Sequence, residues 1–511
     1  MNFKRTNMMV TGLVLPLLAS ASWTVNNATT PTSLTNADGG WNLTVKKENN
    51  ALTITKYVAG SGDLDLTSCE TDTGWKVAKV GIDVFGGNTN VRSFTGPDVT
   101  YLDARAFGSL TKDTSVLTNI VLSPSLSYMG GAAFYACKQL KTFSPTTLPN
   151  LTSAGDNVFY NCIALTGDFK LTAMQSVPAS FFRQTKITSL EMPSATSIGS
   201  SVCNASTVAS ALTNVVFSPT LASIGSNAFY GCKKLKTVFP TTLPSLTSAG
   251  ECAFYKCNAL TGDFKLPSLR SMPKQCFYQT QITSLEMPSA TSNGASACYA
   301  GTVASALTNV VFSPALASIG ANAFYGCKKL KTVSPTTLPS LTSAGEYAFY
   351  TCIALTGNLA MPRLATLQKA SFSYARLTSL DIRSATSIGA SACSENSTLT
   401  NVITSATSFG EKAFYNCKSG AQFWWHGRTA PTLGKNAIDP SGTDKKARIF
   451  VHNARDREGW EAICSRTTPT AADKARADFP GTKRLIGVIA ANNNDAWVLR
   501  EGEPGTVVSL R

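Results

Sequence analysis

A chain of 511 residues with a formal net charge of +15 is too long for one globular core. Its 43% hydrophobic content, regularly placed, excludes a disordered segment, and only 15% charged residues amid abundant Ser, Thr, Gly and Asn exclude a helical bundle. The sequence contains no Gly-Lys-Ser/Thr phosphate loop, no Rossmann glycine pattern and no His-Glu-x-x-His.

The chain opens with a basic start, Lys4 and Arg5, an apolar run over 8–18, and Ala19-Ser20-Ala21. This is the pattern of a cleaved export signal over 1–21, with an apolar run shorter than the ~20 residues needed to span a bilayer. No Cys follows it closely and no apolar tail with a basic end closes the chain, so neither a lipid anchor nor a sorting segment is expected. Residues 22–66 read as an N-terminal cap. Within it, 41–45 and 51–55 alternate apolar with polar around 46–50, the pattern of a β-hairpin. The stretch 62–66 begins the first coil.

Over 67–420 the chain repeats itself. Leu-Thr-Asn-Val-Val-Phe-Ser-Pro at 212–219 returns at 307–314, and in variant form at 117–124, each 95 residues on. Inside that period an aromatic anchor, or a Cys in its place, recurs at Phe134, Phe159, Phe182, Cys203, Phe229 and onward, at intervals of 25, 23, 21 and 26 residues. One such unit carries too few apolar positions to close a core, but stacked on its like it forms ladders. The fold predicted is a mainly β repeat solenoid of about fifteen coils of 21–27 residues with terminal caps.

The stretches Ile224-Gly225-Ser226-Asn227-Ala228-Phe229-Tyr230-Gly231-Cys232 and Ile319-Gly320-Ala321-Asn322-Ala323-Phe324-Tyr325-Gly326-Cys327 carry a resemblance. They are similar to the unit of the BspA-like bacterial leucine-rich-repeat surface proteins, and the likeness runs over about 62–420. Cys203, Cys298 and Cys393 depart from it, standing where Phe is expected. The resemblance implies a leucine-rich-repeat solenoid, and a role in adhesion, since characterised relatives bind matrix proteins and other bacteria.

After Cys417 the rhythm fails. Residues 421–465, with Phe423-Trp424-Trp425, His452 and Trp460, resemble a closing module of a strand followed by a short helix. Residues 466–511 read as a polar linker and a small hairpin of 485–491 with 496–499.

The chain holds fourteen Cys. Cys137, Cys162, Cys232, Cys257, Cys327, Cys352 and Cys417 each lie three residues after an anchor, the placing of a buried thiol ladder, with scattered coil-to-coil bridges as the alternative. No Cys-x-x-Cys occurs and only His426 and His452 are histidines, so no metal site and no cofactor are expected. Glu191, Glu286 and Asp381, and likewise Asp168 and Asp263, are copied with the 95-residue period. Catalysis needs one asymmetric constellation, so these read as solvated positions on a repeated face, and no enzyme is expected.

Charge is the remaining signal. Residues 117–398 hold nineteen Lys or Arg against nine Asp or Glu. Lys233, Lys234 and Lys236 return as Lys328, Lys329 and Lys331, after Lys138 and Lys141 in the preceding copy. Four coils at strand spacing put successive clusters ~19 Å apart. The plain reading is that these lysines keep a ladder soluble; the sharper one is a basic stripe for an acidic or sulfated glycan or an envelope polymer. Nucleic acid fits less well, with no binding module and an expected export signal. The expected function is an exported or cell-surface binding protein for adhesion to a surface protein or acidic glycan of a host or neighbouring cell. The alternative is a structural envelope component that assembles with itself.

Overall fold

The computed structural model describes residues 22–37, 40–301, 303–427, 431–439, 446–451, 484–490 and 498–502. The expected export signal over 1–21, most of the expected linker, His452 and Trp460 lie outside the described residues. Each repeat makes one turn of a parallel β-solenoid. A coil lays down an outer strand of three to seven residues, turns, lays down a two-residue strand, and turns again at its anchor.

The coil around Phe229 shows why. Strand Asn214–Val216 pairs in parallel with Ser189–Glu191 on one side and Thr237–Phe239 on the other. Strand Ser223–Ile224 pairs with Ser197–Ile198 and Ser248–Ala249. On the third side Asn227 takes a left-handed conformation, φ 57°, which an Asn tolerates. The turn it makes bonds onward to the next coil, Asn227 N to Glu251 O at 2.9 Å and Phe229 N to Ala253 O at 2.8 Å. All three sides are therefore closed by coil-to-coil hydrogen bonds. That closure brings backbones very near each other at the Ile-Gly corner. A Cβ on Gly320 would lie 2.4 Å from Ala295 N, and one on Gly225 2.5 Å from the Gly199 carbonyl carbon. Only glycine fits there.

Inside, the anchors stack coil upon coil, as the sequence predicts: all fifteen from Phe85 to Phe414 are buried, Cys203, Cys298 and Cys393 included. Phe134, Phe159 and Phe182 lie 5.1 and 5.3 Å apart with planes within 5°, and Phe229, Phe254 and Phe277 repeat the arrangement at 5.4 Å. Where Cys203 and Cys298 interrupt the stack, buried Phe217 and Phe312 of the following coils pack against the anchors of those coils, Phe229 and Phe324. The thirteen described cysteines are free thiols. Those of the ladder each donate to the carbonyl of an anchor one coil back: Cys162 to Phe134 at 3.0 Å, Cys232 to Cys203 at 3.1 Å and Cys257 to Phe229 at 3.1 Å. Burial pushes the Cys232 and Cys327 thiols up to about 12, so they stay protonated and act as small apolar donors.

The 95-residue period is also written in the backbone. The outer ladder breaks after 142–144, 237–239 and 332–334, before the cis prolines Pro145, Pro240 and Pro335. The next coils rejoin it through the single bridges Thr147↔Lys170, Thr242↔Lys265 and Thr337↔Ala360.

Both ends add strands. Trp41–Glu48 pairs antiparallel with Ala51–Ala59, the hairpin read from the sequence, and Ala51–Ala59 pairs in parallel with Val77–Val80, joining cap to solenoid. Two further antiparallel strands, Trp23–Val25 and Ser33–Asn36, and a helix Cys69–Thr73 complete this end; Asp72 accepts from Trp23 N at 2.9 Å. At the other end the rhythm does not stop at Cys417. Gln422–Trp425 and Lys446–Val451 continue the outer parallel ladder, and Ile438 takes the place of an anchor, its strand pairing with Phe414–Tyr415. Among the described residues the outer ladder counts seventeen strands, from Gly62–Asp65 to Lys446–Val451. Arg484–Ala490 then adds antiparallel and pairs with Val498–Gly502.

Two outcomes test this packing. Phe229→Ala should cost about 3–5 kcal/mol through lost contacts and a cavity. Because coils touch mainly their neighbours, hydrogen exchange should rise first over 200–260 and leave the distant coils protected. Asn293 is the reverse case. It stands where the sets on either side carry Ile198 and Ile388, between Met272 and Ile319 in the ladder, 2% exposed, with neither amide atom partnered. Asn293→Ile should therefore stabilise the protein by about 1–3 kcal/mol, read as a higher denaturant midpoint.

Candidate functional site

The phrase Cys-Lys-Lys-Leu-Lys sets the lysines by what it buries. Cys232 and Leu235 are fully buried, which turns Lys233, Lys234 and Lys236 outward; Cys327 and Leu330 do the same for Lys328, Lys329 and Lys331. The two turns have matching backbone bonds. Lys233 N donates to Gly231 O at 2.8 Å and Lys236 N to Thr213 O at 2.9 Å; Lys328 N donates to Gly326 O at 2.7 Å and Lys331 N to Thr308 O at 2.8 Å. Each set of three is thus fixed at one corner of the solenoid, between the anchor turn and the outer ladder, with the same backbone beneath it.

Their charge is uncompensated, and a neighbouring loop explains why. In the first copy Lys138 forms an ion pair with Asp113, which lies on the loop of the preceding coil. Exactly one period on, at 208 and 303, the loops carry Val. The same copies gain a third lysine, Lys234 or Lys329, where the first has Gln139. Among the described residues none of the six ammonium groups forms an ion pair with a carboxylate. The carboxylates of the outer ladder are otherwise engaged. Glu191 pairs with Lys170 at 2.9 Å, Glu286 with Lys265 at 3.3 Å, and Asp381 with Arg383. Asp168 and Asp263 accept from the Thr188 and Thr283 hydroxyls at 2.6 Å. Four of these acids are engaged across coils and Asp381 within its own, and none converges with another on a shared centre. His426 is exposed, its backbone N–H bonded to Thr404 O at 2.8 Å, and no group of three metal-ligating side chains occurs among the described residues.

Two features beside the lysines are not read from the sequence. The residue after each anchor is Tyr in six successive coils, and Tyr230, Tyr255, Tyr278, Tyr299, Tyr325 and Tyr350 stack at 4.5–4.9 Å. This half-exposed wall runs from the coil of the first lysine cluster to that of the second and one beyond. Within the stack the four inner rings are covered on both faces by their neighbours. The second feature is Phe239, on the same strand segment as Lys236, 67% exposed and the most exposed large apolar side chain among the described residues. The recurrence of Tyr after the anchor is visible in the sequence; the exposure of Phe239 depends on which face of its strand it occupies.

The sequence matches the BspA type leucine rich repeat region family in six copies, over 78–209, 207–305 and 297–420. Among solved structures it is similar to a leucine-rich repeat protein from Bacteroides ovatus, at 21% identity and a TM-score of 0.46, over 71% of this chain and 92% of that one. A leucine rich cell surface protein from Faecalibacterium prausnitzii matches at 19% identity and a TM-score of 0.36, over 86% of this chain and 99% of that one. The leucine rich repeat protein of T. pallidum matches at 20% identity and a TM-score of 0.31, over 44% and 90%. No curated protein matches the chain.

Proposed function

Because the chain belongs to the BspA-type leucine-rich-repeat family, we propose that it is an exported or cell-surface binding protein serving adhesion, and that its two lysine clusters engage an acidic polymer. The family fits a binding role, and no helix among the described residues is long and apolar enough to cross a membrane. The observation that carries the reading is the pair of matching, uncompensated clusters. A lysine placed only for solubility has no reason to lose its carboxylate partner in two copies out of three while gaining a neighbour. Three ammonium groups on a fixed turn, repeated ~19 Å along the same corner, offer a flexible polyanion two contacts, the second of them intramolecular. The reading assigns no catalysis to the repeats, whose outer-ladder carboxylates are individually engaged rather than gathered.

The test is binding of a heparin-like polymer to the full chain at rising salt. Affinity should fall steeply with ionic strength. It should be lost when Lys233, Lys234, Lys236, Lys328, Lys329 and Lys331 all become Gln, while the thermal midpoint hardly moves, since exposed lysines contribute little to folding. A short oligosaccharide reaching one cluster should bind more weakly than the polymer. Equal binding by parent and six-Gln variant at low salt would end the proposal. A second variant asks whether the missing carboxylate matters: Val208→Asp with Val303→Asp restores what Asp113 supplies in the first copy, and should weaken polymer binding without removing a single lysine.

A further inference from the structure

The two lysine clusters differ in one respect. The outer strand that follows Lys236 ends in Phe239, whereas the matching strands of the other copies end in Ser144 and Ser334. Lys236 and Phe239 are three residues apart, roughly 10 Å along an extended strand, well within reach of a lysine stem. Val238 between them is buried, so Thr237 and Phe239 face outward together. Phe239 pairs across the ladder with Val216, half-buried on the same outer face. On its other side the ladder breaks, the next coil joining only at Thr242↔Lys265. The phenyl ring therefore stands at the edge of a four-stranded sheet, backed by Val216. Unlike the tyrosines of the wall, it has no aromatic neighbour stacked on it.

Resting on the acidic-polymer reading above, we infer that the polymer is a polysaccharide, and that Phe239 holds the apolar face of one sugar ring while Lys233, Lys234 and Lys236 hold its acidic groups. The chemistry of the spot selects this occupant. A pyranose carries axial C–H groups on one face, which pack on an aromatic ring, and sulfate or carboxylate groups at its edge, which complement ammonium groups. A polyphosphate or an acidic peptide backbone offers the charge without that face. A single-stranded nucleic acid offers stacking bases, but surfaces that bind one set several open aromatic faces in a row, and here the wall tyrosines cover each other while, among the described residues, no second ring stands beside Phe239. The Phe239 cluster is then the primary contact, and the cluster at Lys328, whose strand ends in Ser334, the secondary one.

The experiment measures the full chain, its Phe239→Ser variant and the six-Gln variant against dextran sulfate, linear polyphosphate and single-stranded DNA at one fixed salt concentration. Serine is what the other two copies carry at this position, so the variant keeps a side chain the fold already accepts, and circular dichroism checks that it does. Phe239→Ser should weaken dextran sulfate binding about three- to tenfold and leave polyphosphate binding unchanged. Ser334→Phe should strengthen dextran sulfate binding. If Phe239→Ser changes nothing, or weakens polyphosphate or DNA as much as dextran sulfate, the polysaccharide inference is overturned. The acidic-polymer reading survives that result so long as the six-Gln variant still loses binding. If the six-Gln variant binds dextran sulfate like the parent, both fall together.

Discussion

Within each set the coils of this solenoid are hydrogen-bonded to one another on all three sides, so whatever a sequence position carries is laid against the same position one coil on. This single constraint sorts the residues. Positions that stack well against themselves recur in runs of coils: Phe on Phe, Tyr on Tyr, and the corner glycine, where a Cβ would run into the backbone before it. Thiols repeat because each can donate to the carbonyl of the preceding anchor, an oxygen with room for a second donor. Charges cannot repeat in this way, since like charges laid directly opposite destabilise a ladder. Clusters of two or three lysines therefore occur at this corner in one coil of each set, with Asn258-Ala259 and Ile353-Ala354 at the same place in the following coils and a single lysine, Lys186, elsewhere in the first set. Where charges do meet coil to coil, they alternate in sign, as Lys170 with Glu191 and Lys265 with Glu286.

Much of the fold is legible because of the same constraint. An anchor that stacks on its copies leaves a periodic mark, and the fifteen positions read from it are all buried. Legibility fails where the mark changes. Ile438 holds an anchor place with no aromatic ring and no Cys after it, and so Gln422–Trp425 and Lys446–Val451 read as a departure although they are further rungs. The outer cap strands Trp23–Val25 and Ser33–Asn36 are too short to show an alternation. At the candidate site, the lysines are plain in the sequence, because burial of Cys232 and Leu235 forces them out. Their lack of a partner is not, because Asp113 and Lys138 are 25 residues apart and meet only through the stacking of two coils. Phe239 likewise reads as one more apolar residue until its strand is placed and its outward face seen.

The thiols show a further side of the same economy. Adjacent coils bring like positions close enough to invite bridging, yet the ladder thiols all point the same way and each is committed to a carbonyl. Beside the cysteines at anchor places, Cys203 and Cys298, Phe217 and Phe312 of the following coils pack against the next anchors from a different direction.

The break in the outer ladder at the three cis prolines, and its repair through one bridge each time, comes once per 95 residues and always at the same coil. Every set therefore ends in the geometry with which the next begins. A whole set could be gained or lost with no new kind of contact made anywhere, the seam closing as the existing seams do. Near-identical stretches such as 212–219 and 307–314 are also what misaligned recombination requires. The architecture is thus open to inheritance in blocks, with length free to vary between descendants while every coil keeps its neighbours.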